Sequence, residues 1–134
     1  MANAKPARER PLSPHLQIYR PMLTMMMSIF HRITGSALYV GTLLLAWWLI
    51  AAAMGPEAYA TAGAFFNSLI GRLVLFFYTW ALFHHMLGGL RHLTWDTIHG
   101  FEIPTVEFTA RAAIIGSLSL TILVWLIAVF GMGA

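Results

Sequence analysis

Two adjacent histidines, His84 and His85, lie inside a run from Leu73 to Leu90 that holds no Asp, Glu, Lys or Arg, and Gly88, Gly89, Arg91 and His92 follow closely. In hydrocarbon an ionisable side chain is costly and needs a partner or a task. An imidazole nitrogen has a lone pair for a metal, and haem iron is one such task. A second polar group, Ser28, His31 and Arg32, interrupts an equally apolar stretch earlier in the chain. Residues at i, i+3, i+4 and i+7 share a helix face, so Ser28 aligns with His31 and Arg32, and His85 aligns with Gly88, Gly89 and His92. Glycines one turn from a ligand histidine leave room for a flat macrocycle, and basic groups near the membrane surface suit its propionates.

The elements that must position these residues follow from composition. Of 134 residues, 59% are hydrophobic and only 10% charged, against roughly 45–50% and 25% in an ordinary globular domain. A spanning helix needs about 20 mostly apolar residues to cross a core of about 30 Å. Ile33–Met54, Leu73–Leu90 and Ala112–Ala134 meet that test, and the uncharged stretch from Thr61 to Gly71 can lengthen the second helix. The sequence predicts one all-α integral membrane domain, 1–134, with spans roughly 24–54, 62–93 and 109–132. Gly55-Pro56-Glu57 separates the first two, and Gly100 with Pro104 separates the last two. The pairs Ala37/Gly41 and Ala112/Gly116 are of a type that lets helices approach closely.

Depth brings the two polar groups together. At about 1.5 Å per residue, His85 lies roughly 10 Å from a helix end near Arg91 or His92. A first span beginning near Leu23 buries His31 and Arg32 to a similar depth from the same side. Lys5, Arg8, Arg10 and Arg20 precede the first span, and Arg91 and Arg111 flank the second connection. Positive-inside bias then puts the N-terminus inside, with Arg72 an exception that snorkels at the outer end. The segment 1–22 reads as interfacial on the inner side, with the features of neither a secretory signal nor a transit peptide.

The charge of +3 is topological, so nucleic-acid binding is not expected. With no cysteine, the chain supplies no disulfide, thiolate-held cluster or cysteine nucleophile. Each polar residue also has a plainer explanation. Arg32 can snorkel to headgroups, His84 can bond to a neighbouring helix, and Ser28 can bond back to a carbonyl of the preceding turn. His15 and His99 sit in polar segments. The methionines suit packing or lipid contact, and Trp47, Trp48 and Trp95 suit interfacial anchoring. Spacing alone leaves both His31 and His85 open as iron ligands.

Three motifs carry a resemblance. RPLSPHLQIY from Arg10 to Tyr19, SIFHRITG from Ser28 to Gly35, and HMLGGLRH from His85 to His92 with Asp96 beyond resemble the larger membrane-anchor, or cytochrome b, subunits of succinate dehydrogenase. The likeness runs from about residue 10 onward and is nearest to the alphaproteobacterial and mitochondrial branch. It implies that His85 is an axial ligand of haem b and that the second ligand comes from a smaller anchor subunit. It implies a ubiquinone site at Ser28 and Arg32, with His31, Arg32 and His92 near the haem edge or propionates and Asp96 delivering protons. The implied partners are a flavoprotein, an iron–sulfur subunit and the smaller anchor, whose helices complete a bundle in an inner membrane; the lack of transit-peptide features favours a bacterial one, with a mitochondrial one as the alternative. Other readings are a haem-free structural anchor, a fumarate reductase anchor, and an ion conductor, which three unbroken spans without an inverted repeat support little.

Overall fold

The computed structural model describes residues 10–11 and 19–131. The expected interfacial segment 1–22 therefore falls largely outside the described residues, as does His15. Four α-helices make up most of the rest: α1, Leu23–Met54; α2, Pro56–Asn67; α3, Leu69–Asp96; and α4, Ile103–Leu126, which runs into a π-helical turn at Ile127–Gly131. Three of them, α1, α3 and α4 with its π-helical end, are long and apolar enough to cross a membrane. No strand occurs among the described residues.

The division between α2 and α3 departs from the expected second span of 62–93. Apolarity is continuous there, so a hydropathy argument sees one helix, but the backbone turns extended at Ser68 (φ −67°, ψ 160°). The Ser68 hydroxyl oxygen accepts a bond from the Gly71 amide at 3.1 Å, which satisfies one of the free N–H groups at the start of α3. Gly71 permits the bend: a Cβ there would sit 2.1 Å from the Phe65 carbonyl oxygen and 2.7 Å from Phe66 Cα. The other boundary of α2 is also local. Gly55 adopts φ 119°, which other residues rarely adopt, and Pro56 supplies the preset φ of a first helical turn. The third span, α4, likewise begins at Ile103, before the expected 109, with Pro104 in its first turn.

The spans alternate in direction. His31 meets His85 and Gly41 meets Tyr78, which sets α1 antiparallel to α3; the ties His84 to Ser117 and Arg91 to Thr109 set α3 antiparallel to α4. Small residues make the crossings: Gly41, Ala51, Ala62, Ala81, Ala110, Ala113 and Ser117 are buried, while Tyr39 is 79% and Phe130 82% exposed. Bulk outside and small residues inside is the distribution expected where lipid is the solvent. One member of each expected small-residue pair lies at a crossing. Gly41 receives the Tyr78 ring and Gly116 receives Leu87, whereas Ala37 and Ala112 are exposed. The buried cluster of Met27, Ala110 and Ala113, packed by Leu23, Leu87 and Ile114, joins α1, α3 and α4 on the side where α3 ends and α4 begins.

Candidate functional site

The polar residues of α1 and α3 meet where the two helices cross. The His85 Nδ1 lies 3.1 Å from the His31 carbonyl oxygen and 3.5 Å from the Thr34 hydroxyl. A carbonyl only accepts, so Nδ1 carries the proton and donates, which leaves the lone pair of His85 on Nε2. Thr34 is buried and bonds back to the carbonyls of Phe30 and His31 at 2.8 and 3.1 Å. Fixing one ring nitrogen on a backbone carbonyl sets the tautomer and raises the basicity of the other, the usual support of a metal-ligating histidine.

His31 lies flat against His85, with ring centroids 4.0 Å apart and planes 12° from parallel. Two glycines make this stack possible. A Cβ on Gly35 would fall 2.9 Å from His85 Cε1, and a Cβ on Gly88 would fall 2.4 Å from His31 Cδ2. Each histidine thus occupies space left by a glycine of the opposite helix. This corrects the expected use of Gly88, because the room it provides is taken by His31; of the two adjacent glycines Gly89 is the one that faces open space, with nothing within 4 Å of its added Cβ. Gly88→Ala must displace the His31 ring, and overpacking of this kind costs about 1–3 kcal/mol. The thermal midpoint of the assembled protein is expected to fall for Gly88→Ala, while Gly89→Ala meets no protein atom and leaves helix packing intact; a thermal-shift series in detergent compares them.

Ser28 and Arg32 share the exposed face of α1 that their spacing predicts. Arg32 Nη2 donates to Ser28 Oγ at 3.2 Å, so Ser28 bonds to Arg32 rather than back to a carbonyl. Its own hydroxyl proton stays free for a second acceptor. His92 stands 5.1 Å from His31 and packs at right angles on Trp95, 5.0 Å away. The three imidazoles of His85, His31 and His92 therefore form a row leading to the end of α3, where exposed Asp96 is the last helical residue. Among the described residues no three His, Asp or Glu side chains converge to hold a bare metal ion.

Two residues of the motif turn the other way. His84, only 2% exposed, places Nδ1 3.3 Å from Ser117 Oγ of α4, and that hydroxyl donates to the Ile114 carbonyl at 2.9 Å. The neighbouring-helix alternative for His84 is the one the structure contains. Arg91, counted in the sequence as topological charge, also donates from Nε to Thr109 Oγ1 at 3.3 Å and lies 4.9 Å over the Trp95 ring. Successive helical residues are about 100° apart, which is the sequence signal that His84 and His85 cannot serve one partner. His99, near the α3–α4 turn, keeps to its own loop through Thr97.

The profile of the succinate dehydrogenase/fumarate reductase transmembrane subunit family matches residues 6–124. The chain belongs to this family. A succinate dehydrogenase cytochrome b556 subunit of Paracoccus denitrificans is 46% identical over 114 residues, 85% of this chain and 88% of its own length. The corresponding subunit of Rickettsia conorii is 38% identical over 117 residues, 87% of this chain and 91% of its own. A cytochrome b560 subunit of Reclinomonas americana is 34% identical over 126 residues, 88% and 85% of the two chains. Family membership and three apolar helices make this a multi-pass membrane subunit of a succinate dehydrogenase of the cytochrome b type. The expected kinship with alphaproteobacterial and mitochondrial-type anchors is borne out.

Proposed function

We propose that this chain is the larger anchor of succinate:ubiquinone oxidoreductase, holding haem b through His85 and forming one wall of the ubiquinone site with Ser28 and Arg32. The observation that carries the reading is the Nδ1 bond of His85 to the His31 carbonyl, which leaves Nε2 as a free, oriented ligand nitrogen. The cytochrome b names of the relatives support the same group. When bound, haem b supplies a reversible one-electron iron couple within the membrane. His31 turns its face and not a nitrogen to His85, so within this chain His85 is the residue that would hold the iron; a further ligand from the smaller anchor subunit is what the family resemblance implies.

Ubiquinone takes up two electrons and two protons. Ser28 donates its free hydroxyl proton in a hydrogen bond to one quinone carbonyl, and the fixed charge of Arg32 stabilises negative charge as it develops on that oxygen. Protons arrive by way of Asp96 and His92, at the end of α3 where Arg91 and the loop to α4 lie. His31, Arg32 and His92 supply donors and positive charge for the propionates. Electrons come from succinate through flavin and iron–sulfur clusters on the partner subunits, since no cysteine is available here. Arg20, Arg91 and Arg111 lie at the end where α1 begins and α3 closes, with Arg72 at the other end, which supports an N-terminus on the cytoplasmic or matrix side.

A dithionite-reduced minus oxidised spectrum of the purified complex tests the reading. A b-type α band is expected; a complex with no haem absorbance, yet with succinate dehydrogenase assembled on it, makes the chain a haem-free anchor.

A further inference from the structure

We infer that His84 is a positioning residue: through Ser117 it fixes the roll of α3, so that its neighbour His85 keeps Nε2 directed at the haem. The inference rests on the haem assignment above. The two histidines are held by their Nδ1 nitrogens in opposite senses. His85 donates to the His31 carbonyl of α1 at 3.1 Å and His84 to the Ser117 hydroxyl of α4 at 3.3 Å. Ser117 acts as the acceptor because its own proton is engaged by the Ile114 carbonyl at 2.9 Å. The two bonds lie at one level of α3 and pull on opposite flanks of it, toward α1 and toward α4.

The lever is short and sensitive. Side-chain atoms stand about 5–6 Å from a helix axis, so a roll of about 10° moves a ligand nitrogen by about 1 Å, more than the ~0.5 Å tolerance of a preorganised site. The clamp sits in a dry place: His84 is 2% exposed, and Ser117 is fully buried. Two further ties join α3 to α4, Trp125 Nε1 to Thr79 Oγ1 at 3.3 Å and Arg91 Nε to Thr109 Oγ1 at 3.3 Å. They flank the clamp in sequence and keep the helices paired when it is removed, so its loss is read at the haem and not in assembly. His84 Nε2 and Trp80 Nε1, an acceptor and a donor one turn apart, have no protein partner, so Nε2 contributes no tie between helices.

The experiment compares His84→Asn, His84→Gln and Ser117→Ala in the assembled complex, by electron paramagnetic resonance of the ferric haem and by its midpoint potential. Asparagine places an N–H close to the former Nδ1, whereas glutamine places its amide close to the former Nε2. Asn is expected to keep the wild-type g values and potential. Gln and Ser117→Ala are expected to shift both in the same direction, with no added shift when Gln and Ala are combined. Wild-type signals in Ser117→Ala, or Gln behaving as wild type while Asn shifts, overturn the clamp. Should Ser117→Ala fail to assemble, the amide pair decides alone, and identical signals from Asn and Gln overturn it. A wild-type complex without haem instead removes the assignment on which the inference rests.

Discussion

His85→Ala is expected to strip haem from the assembled complex. Loss of supporting groups around a metal ligand already costs about 10–100-fold in affinity, and loss of the ligand itself is expected to exceed that. Haem per complex, read from the reduced absorbance against bound flavin, should fall by more than about tenfold. His31→Ala is expected to behave differently. It removes the ring stacked 4.0 Å away but keeps the backbone carbonyl that orients His85, so haem stays bound with a shifted potential. Full haem content in His85→Ala would move the axial ligand to another residue, and equal loss in both variants would make the stack rather than the nitrogen the binding element.

Arg32→Leu separates the two halves of the reaction. Removing one preorganised stabilising group from a site where charge develops costs about 10²–10³ in turnover, and quinone reduction by succinate is expected to fall by that order. Reduction of a water-soluble artificial acceptor, served by partner subunits, stays at the wild-type rate. Arg32→Lys recovers part of the loss, because it restores charge but not the fork that reaches both Ser28, 3.2 Å away in this structure, and a substrate oxygen. Ser28→Ala is milder, since a neutral hydrogen bond contributes about 0.5–1.5 kcal/mol, and its effect should appear chiefly in KM. Equal quinone turnover by Arg32→Leu and wild type would remove this face from the quinone site.

The three spans were legible because twenty apolar residues in a row have few alternatives, and the alignment of Ser28 with Arg32 followed from helical spacing alone. The helix break at Ser68 was not, because nothing in a run of uncharged residues distinguishes a continuous helix from one that bends sharply. The distinction lies in a serine cap and in the missing Cβ of Gly71, which matters only once Phe65 stands over it. Gly88 was half legible: the sequence indicated a space, but its occupant, His31, comes from another helix. The two adjacent histidines differ by nothing in composition. Their separate roles depend on which helix lies on each flank of α3, information held in Ser117 and in the His31 carbonyl.

The crossings of small residues, with bulky side chains turned outward and Ser28 and Arg32 on an exposed face, leave the unassembled polypeptide an energetic orphan. A charge at the centre of a spanning helix costs roughly 2.5–3.5 kcal/mol on insertion scales, and among the described residues the hydrogen-bond partner of Arg32 is Ser28. An unassembled copy is therefore expected to be cleared from the membrane faster than an assembled one, and Arg32→Leu, which removes the charge, is expected to lengthen its lifetime in a pulse-chase experiment.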